Sequence, residues 1–114
     1  MNEAIALANL SALSHPMRLR AVRALVARAP NGLTAGEIAT SIDASPSKTT
    51  FHLNLLSEAG IVSSKRQARH VVYQVEFAAL GALLRYLLED CCGGHPTVRE
   101  CCASASGDGP GLDC

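Results

Sequence analysis

TAGEIATSIDASPSKTTFHLNLLSEAGIV, residues 34–62, reads as two short helices separated by a tight connection. Thr34 and Glu37 stand at the S/T-x-x-E spacing of a capping box. In that arrangement the Thr34 hydroxyl accepts from the Glu37 backbone N–H, and the Glu37 carboxylate accepts from that of Thr34. A helix is predicted from there to about Ser41. Ile42-Asp43-Ala44 makes the connection. Ser45-Pro46 is an N-cap followed by proline at the first helical position, where its missing N–H costs nothing, so a second helix starts there. It runs to about Ala59 with Leu53, Leu55 and Leu56 partly inward, and Gly60 ends it.

Residues on either side complete the architecture. Residues 3–13 are rich in Ala and Leu, with Leu7, Leu10 and Leu13 at helical spacing. Ser14-His15-Pro16 interrupts them, and a helix over residues 16–29 comes next, with Leu19, Val22, Leu25 and Val26 on one face. Pro30-Asn31-Gly32 stops it. Downstream, Ile61-Val62 and Val71-Val72-Tyr73-Gln74-Val75 are β-branched and aromatic, and they flank a polar, basic stretch from Ser63 to His70. This predicts a β-hairpin with a charged tip. A last helix over residues 77–90 carries Leu80, Leu83, Leu84, Leu87 and Leu88 at i, i+3, i+4, i+7 and i+8. The fold class is therefore mainly α with a β-hairpin wing, a winged helix-turn-helix. It occupies residues 1–90, and residues 91–114 form a cysteine-rich, largely flexible tail. Residues 103–113 of that tail have linker composition and are expected to be disordered.

In a winged helix-turn-helix the second helix of the pair enters the major groove of DNA by its N-terminal part. Here that part offers Ser47, Thr49 and Thr50, whose short hydroxyls reach base edges or phosphates. Lys48 adds a charge-assisted contact, and His52, one turn further, reaches phosphate. Lys65, Arg66 and Arg69, with His70, make a wing against the DNA backbone or minor groove. The formal net charge of the chain is zero, so no global basic signature marks nucleic-acid binding. The local balance differs: residues 45–75 hold four basic residues and one acid, while residues 89–114 hold five acids and one Arg. The apolar stripes of residues 5–13 and 80–88 exceed what one small domain covers, which predicts a two-fold homodimer.

No signal peptide is visible, and no apolar run approaches the roughly 18–20 residues of a membrane span. A cytoplasmic protein with reduced thiols and no membrane partner is expected. All five cysteines lie in the last 24 residues: Cys91, Cys92, Cys101, Cys102 and Cys114. Two vicinal pairs at C-C-x8-C-C spacing come directly after the last helix, which favours metal or metalloid ligation, or redox sensing, over a disulfide framework. An enzyme is not expected. Thiol catalysis needs an anion cradle beside a low-pKa cysteine, and Arg99 alone accompanies the cluster, among acids.

The sequence also resembles a known family. Leu13-Ser14-His15-Pro16-Met17-Arg18-Leu19-Arg20 is similar to the L-x-H-P-x-R-L-x-I-L opening of the ArsR/SmtB metal-sensing repressors. The stretch from Thr50 to Val62 resembles that family's S-x-H-L-x-x-L-x-x-A-G-L-V recognition helix. Lys65 to Tyr73 resembles its R-x-G-R-x-x-Y wing, with Ala68 where the family has glycine. The resemblance covers residues 5–90. It implies a homodimer joined by the first and last helices, bound to double-stranded operator DNA and repressing a metal-resistance operon until metal binds.

Two of the family's sensing sites are absent. Leu33 to Ser41 contains no cysteine for a C-x-C site, and Phe77 to Asp90 contains no histidine for a zinc site on the last helix. The remaining cluster resembles the arsenic-responsive subgroup. Trivalent arsenic takes three thiolates in a pyramid. Cys91 and Cys92 supply two, and Cys101 or Cys102 supplies the third. Sb(III) or a trivalent organoarsenical has similar chemistry. Zn(II) or Cd(II) in a four-thiolate tetrahedron is the alternative, although C-x2-C is the usual zinc spacing. A thiol-redox switch pairing across the two cysteine pairs is another. No organic cofactor is implied.

Overall fold

The computed structural model describes residues 1–103. Helix α1 (Glu3–Leu13) is followed by α2 (Pro16–Ala27), strand β1 (Leu33–Thr34), α3 (Ala35–Ile42) and α4 (Pro46–Glu58). Strands β2 (Val62–Gln67) and β3 (His70–Val75) form the wing. Helix α5 (Phe77–Arg85) continues without a break into a π-helical turn, Tyr86–Cys91, and then comes α6 (Pro96–Ala103).

The starts of these helices are local events. Asn2 caps α1 by accepting from Ile5 N, and Ser45 caps α4 by accepting from Lys48 N. The capping box at α3 is complete: Thr34 N donates to Glu37 Oε1 at 2.9 Å and Glu37 N donates to Thr34 Oγ1 at 3.2 Å. The bond from the Thr34 backbone, then that involving its side chain, holds the Glu37 carboxyl below its ordinary range. At α2 the His15 ring does the capping, its Nδ1 accepting from Met17 N at 3.1 Å beside Pro16.

The sheet is antiparallel with order β1-β3-β2. Strand β1 is an addition to the expected hairpin: Leu33 pairs with Tyr73 and Thr34 with Val72. Gly32 makes this approach possible. It sits at φ +80°, and a side chain there would run into the Tyr73 carbonyl. Strand β2 also extends further than its polar sequence suggests, through Lys65 and Arg66 to Gln67, which pairs with His70. The tip is therefore Ala68 and Arg69 alone. Ala68 takes the left-handed conformation, φ +56°, which a glycine adopts without strain.

The core lies where α2, α3 and α4 meet the sheet. Leu25, Ile38, Leu53, Leu56 and Ile61 are fully enclosed there, with Val22, Ile42, Val62 and Val75 around them. One sequence expectation changes. On α2 the inward set is Ala21, Val22 and Leu25, so Leu19 and Val26 fall on the flanks of the buried stripe and are 49% and 44% exposed. On α1 the buried residues are Ala6, Asn9 and Ala12, while Ile5, Leu7 and Leu10 face outward. The expected uniform helix over 77–90 ends at Arg85, and its last turn is π-helical. The tail expected to be flexible from residue 91 instead contains α6. The part of it expected to be disordered lies, from residue 104 on, outside the described residues.

Candidate nucleic-acid interface and thiol cluster

The N-terminal half of α4 has one exposed face. Ser47, Lys48 and Thr50 are exposed on it. Thr49 and His52 are not: they are 1% and 7% exposed. Thr49 Oγ1 turns back to donate to Ser45 O at 2.9 Å. This corrects the expectation that both touch DNA, for a geometric reason. On a helix packed against α2, positions 49, 52, 53 and 56 form the inward stripe. The outward face is instead extended by Phe51, 60% exposed, and Asn54, also exposed. Neither belongs to the set expected from sequence. The signal that marks them is the i, i+4, i+7 spacing from Ser47. An asparagine can pair with adenine through both its polar atoms, and a phenylalanine can pack on a thymine methyl.

The wing supplies the charge. Lys65, Arg66, Arg69 and His70 are all exposed on β2, the tip and the start of β3. At the root of the wing Ser63 Oγ donates to Glu76 Oε1, and Glu76 N donates to Ile61 O at 2.8 Å. These contacts tie the hairpin ends to the start of α5. If α4 reads the groove, Lys48→Ala removes about one phosphate contact and should lower the slope of log affinity against log salt by ~0.9. Thr50→Ala should cost about 1–3 kcal/mol if it removes a base contact. Filter binding over a salt series checks both, and unchanged slopes and affinities would remove this helix as the reader.

His52 has a different role. Its ring packs against that of His15, centroids 4.5 Å apart and tilted by 40°, and against Phe51 at 5.4 Å. Its Nδ1 is buried without a hydrogen-bond partner. Burial pushes the His52 pKa down, and the nearby positive groups His15, Arg18 and Lys48 push it further. A histidine whose folded pKa is depressed contributes stability that is present above its unfolded pKa, about 6.5, and is lost as pH falls below it. Thermal stability should therefore fall from pH 7.5 to pH 5.5. The variant His52→Gln, which keeps a polar side chain without the titrating ring, should show a flatter profile than the parent over that window. Parallel profiles would contradict this assignment.

The thiols sit at the opposite functional end of the sequence, where α5 stops. The π-helical turn closes with Cys92 N donating to Leu87 O at 3.0 Å and Gly94 N to Leu88 O at 2.8 Å. The added residue rotates the chain beyond it by about 100° relative to a continued α-helix. Gly93 and Gly94, at φ +60° and +67°, reverse the chain. His95 then starts α6, its Nδ1 accepting from Thr97 N at 3.1 Å. Cys91, Cys92 and Cys102 are exposed free thiols, and Cys101 is half-buried on α6. Cys92 has its pKa raised, first by desolvation, then by the charge and the hydrogen bond of Cys91, and then by the charge of Cys102. The charge of Cys102 on α6 is thus felt at Cys92, across the reversal. Among the described residues no three His, Cys, Asp or Glu side chains converge as a ready-made metal site. No helix among them is long and apolar enough to cross a membrane.

Comparison with known proteins agrees with this geometry. Residues 13–64 match the helix-turn-helix domain family. The chain is 33% identical over 82 residues to the HTH-type transcriptional regulator YgaV of Escherichia coli strain K12, covering 72% of this chain and 81% of that protein. The ArsR-like transcriptional regulator from Rhodococcus sp. RHA1 shares the fold with a TM-score of 0.69, at 24% identity, over 91% of this chain and 93% of that one. A possible transcriptional regulator for arsenical resistance has a TM-score of 0.63 at 27% identity, over 84% of this chain and 94% of that one.

Proposed function

The chain belongs to the HTH-type transcriptional regulators and has the winged-helix fold of ArsR-like proteins, and from that premise we propose that it represses an arsenic-resistance operon and leaves its operator when trivalent arsenic binds its C-terminal thiols. Proteins of this kind bind DNA and are not enzymes. The observation that carries the arsenic reading is that Cys91, Cys92 and Cys102 are exposed free thiols, and that Cys92 feels the charge of each of the other two. Negative charge on Cys91 and on Cys102 is part of what raises the Cys92 pKa, after desolvation. A soft trivalent centre neutralises that charge and takes three sulfur ligands. The similar protein described as a possible regulator for arsenical resistance supports the same direction.

DNA recognition is assigned to Ser47, Lys48 and Thr50 on α4 and to Lys65, Arg66 and Arg69 on the wing. The operative species is a homodimer joined through α1 and α5. Ile5, Leu7, Leu10, Phe77 and Leu84 are all exposed on these two helices, apolar side chains that a single copy leaves uncovered. A two-fold dimer matches two half-sites about 34 Å apart, so a small change in how the protomers meet loses contacts in one groove or the other. The thiols stand at the end of the helix that makes this seam. Their closure on the inducer has to differ between the DNA-bound and free states by only about 1–3 kcal/mol to be effective.

An operator-release titration with arsenite, Zn(II) and peroxide side by side tests the proposal. Release by arsenite at about one equivalent per protomer, with three sulfur neighbours by X-ray absorption, is expected. Release by zinc with four sulfur neighbours, or by peroxide alone, would replace the arsenic reading with the corresponding alternative.

A further inference from the structure

Cys102 acts on Cys92 although nine residues and two helix ends separate them in the chain, so something must hold α6 back against the end of α5. One side chain ties α6 to the end of α5. Arg99 Nε donates to the Gly94 carbonyl at 3.1 Å, and its Nη2 lies 3.7 Å from Glu89 Oε1. Glu89 is held in turn by Arg85, whose Nε is 3.4 Å from the other carboxylate oxygen, Oε2. An exposed ion pair alone contributes little. Here the guanidinium also engages the reversal itself, so a single planar group spans the end of α5, the Gly93-Gly94 bend and α6. The backbone agrees: Arg99 N donates to His95 O at 3.0 Å, which places Arg99 in the first turn of α6, facing the bend.

We propose that Arg99 is a positioning residue of the thiol site, clasping α6 across the end of α5 so that Cys102 meets the Cys91–Cys92 pair. Its functional consequence rests on the sensing role proposed above, but its geometry does not. Arg99 contributes no ligand. It sets how often the third thiol is within reach of the other two, and therefore the apparent affinity of the three-thiolate site.

The test reads proximity first, without any inducer. A thiol-bridging bimane reagent is applied to the full chain carrying Cys101→Ser and Cys114→Ser. Proteolysis after Glu100 then separates Cys102 from Cys91 and Cys92, so a cross-link across the bend joins two peptides. Such a product is expected in the parent, reduced several-fold in Arg99→Ala and intermediate in Arg99→Lys, which keeps the charge but not the fork. Gly94→Ala is a second variant, since a Cβ there comes 3.0 Å from Arg99 Nη2 and also strains the bend at φ +67°. It too should reduce the product. In the otherwise unmodified chain, half-release by arsenite should need about tenfold more arsenite in Arg99→Ala, with operator affinity before arsenite unchanged. Equal cross-linking in the parent, Arg99→Ala and Gly94→Ala overturns the clasp. Cross-linking that collapses in these variants while arsenite fails to release the parent from DNA supports the clasp and removes the arsenic reading instead.

Discussion

Cys91→Ser and Cys92→Ser are each expected to abolish arsenite-driven release while leaving operator affinity unchanged in the absence of arsenite. The size of the effect comes from the chemistry of the site. A pyramidal three-thiolate centre that loses one sulfur keeps two ligands and exchanges the third for water or a hydroxyl that binds a soft centre poorly. Loss of a supporting group around such sites typically costs 10–100-fold, so loss of a ligand should shift the half-release concentration by more than about 100-fold. DNA binding is spared because the cysteines lie beyond α5, whereas the exposed face of α4 and the wing form elsewhere in the chain. Cys102→Ser should be comparably severe, since its thiol is the one on α6 that acts on Cys92. Release should also depend on pH. The raised Cys92 pKa means that less thiolate is present at neutral pH than for an ordinary cysteine, so the rate of arsenite capture should climb as pH rises. Fluorescence anisotropy of a labelled operator measures all of these. A cysteine-free variant that still responds to arsenite would overturn the site.

Leu84→Asp is expected to convert a dimer into a monomer and to reduce operator affinity by about 10²–10⁴-fold, the advantage that two linked half-site contacts hold over one. Leu84 is 62% exposed on α5. Burying a leucine is worth about 1.5–3 kcal/mol, and each protomer contributes one across a two-fold seam. The substituted carboxylate would have to be desolvated in the same place. The fold of the single protomer should survive, because the residue α5 buries in its own domain is Leu83. Sedimentation at micromolar concentration with circular dichroism separates the two effects. A wild-type chain that sediments as a monomer would remove this interface.

Much of the fold is legible in the sequence because its signals are local. The capping box at Thr34, the Ser45-Pro46 start and the basic hairpin each appear where the spacing predicts them. Helix α6 has a local signal too, though composition masks it. His95-Pro96-Thr97 repeats the pattern of His15-Pro16-Met17, a histidine ring capping a helix that opens on proline, and it starts α6 in the same way. The glycines just before it suggest a flexible tail, but here they make a reversal that leads into the next helix. The π-helical turn has no comparable signature. Leu87 and Leu88 continue the apolar spacing of α5, and over six residues side-chain periodicity does not distinguish a π turn from an α turn.

The sequence alone determined the order of the first five helices and the hairpin, where each of those helices begins, and the gathering of every cysteine at one end, because caps, turns and composition act within a few neighbouring residues. Only the tertiary structure decided which side chains those elements expose. Thr49 and His52 lie in the same polar run as Lys48 and Thr50, yet packing of α4 on α2 takes the first two inside and leaves the others out. Leu7 and Leu10 share a helical stripe that sequence spacing alone assigns to no particular partner, and in the fold it faces away from the core. The return of α6 toward the end of α5 likewise shows only in the fold, where Arg99 reaches the Gly94 carbonyl and Glu89. Periodicity defines the faces of an element, but burial is a relation between elements, and it is settled only when they pack.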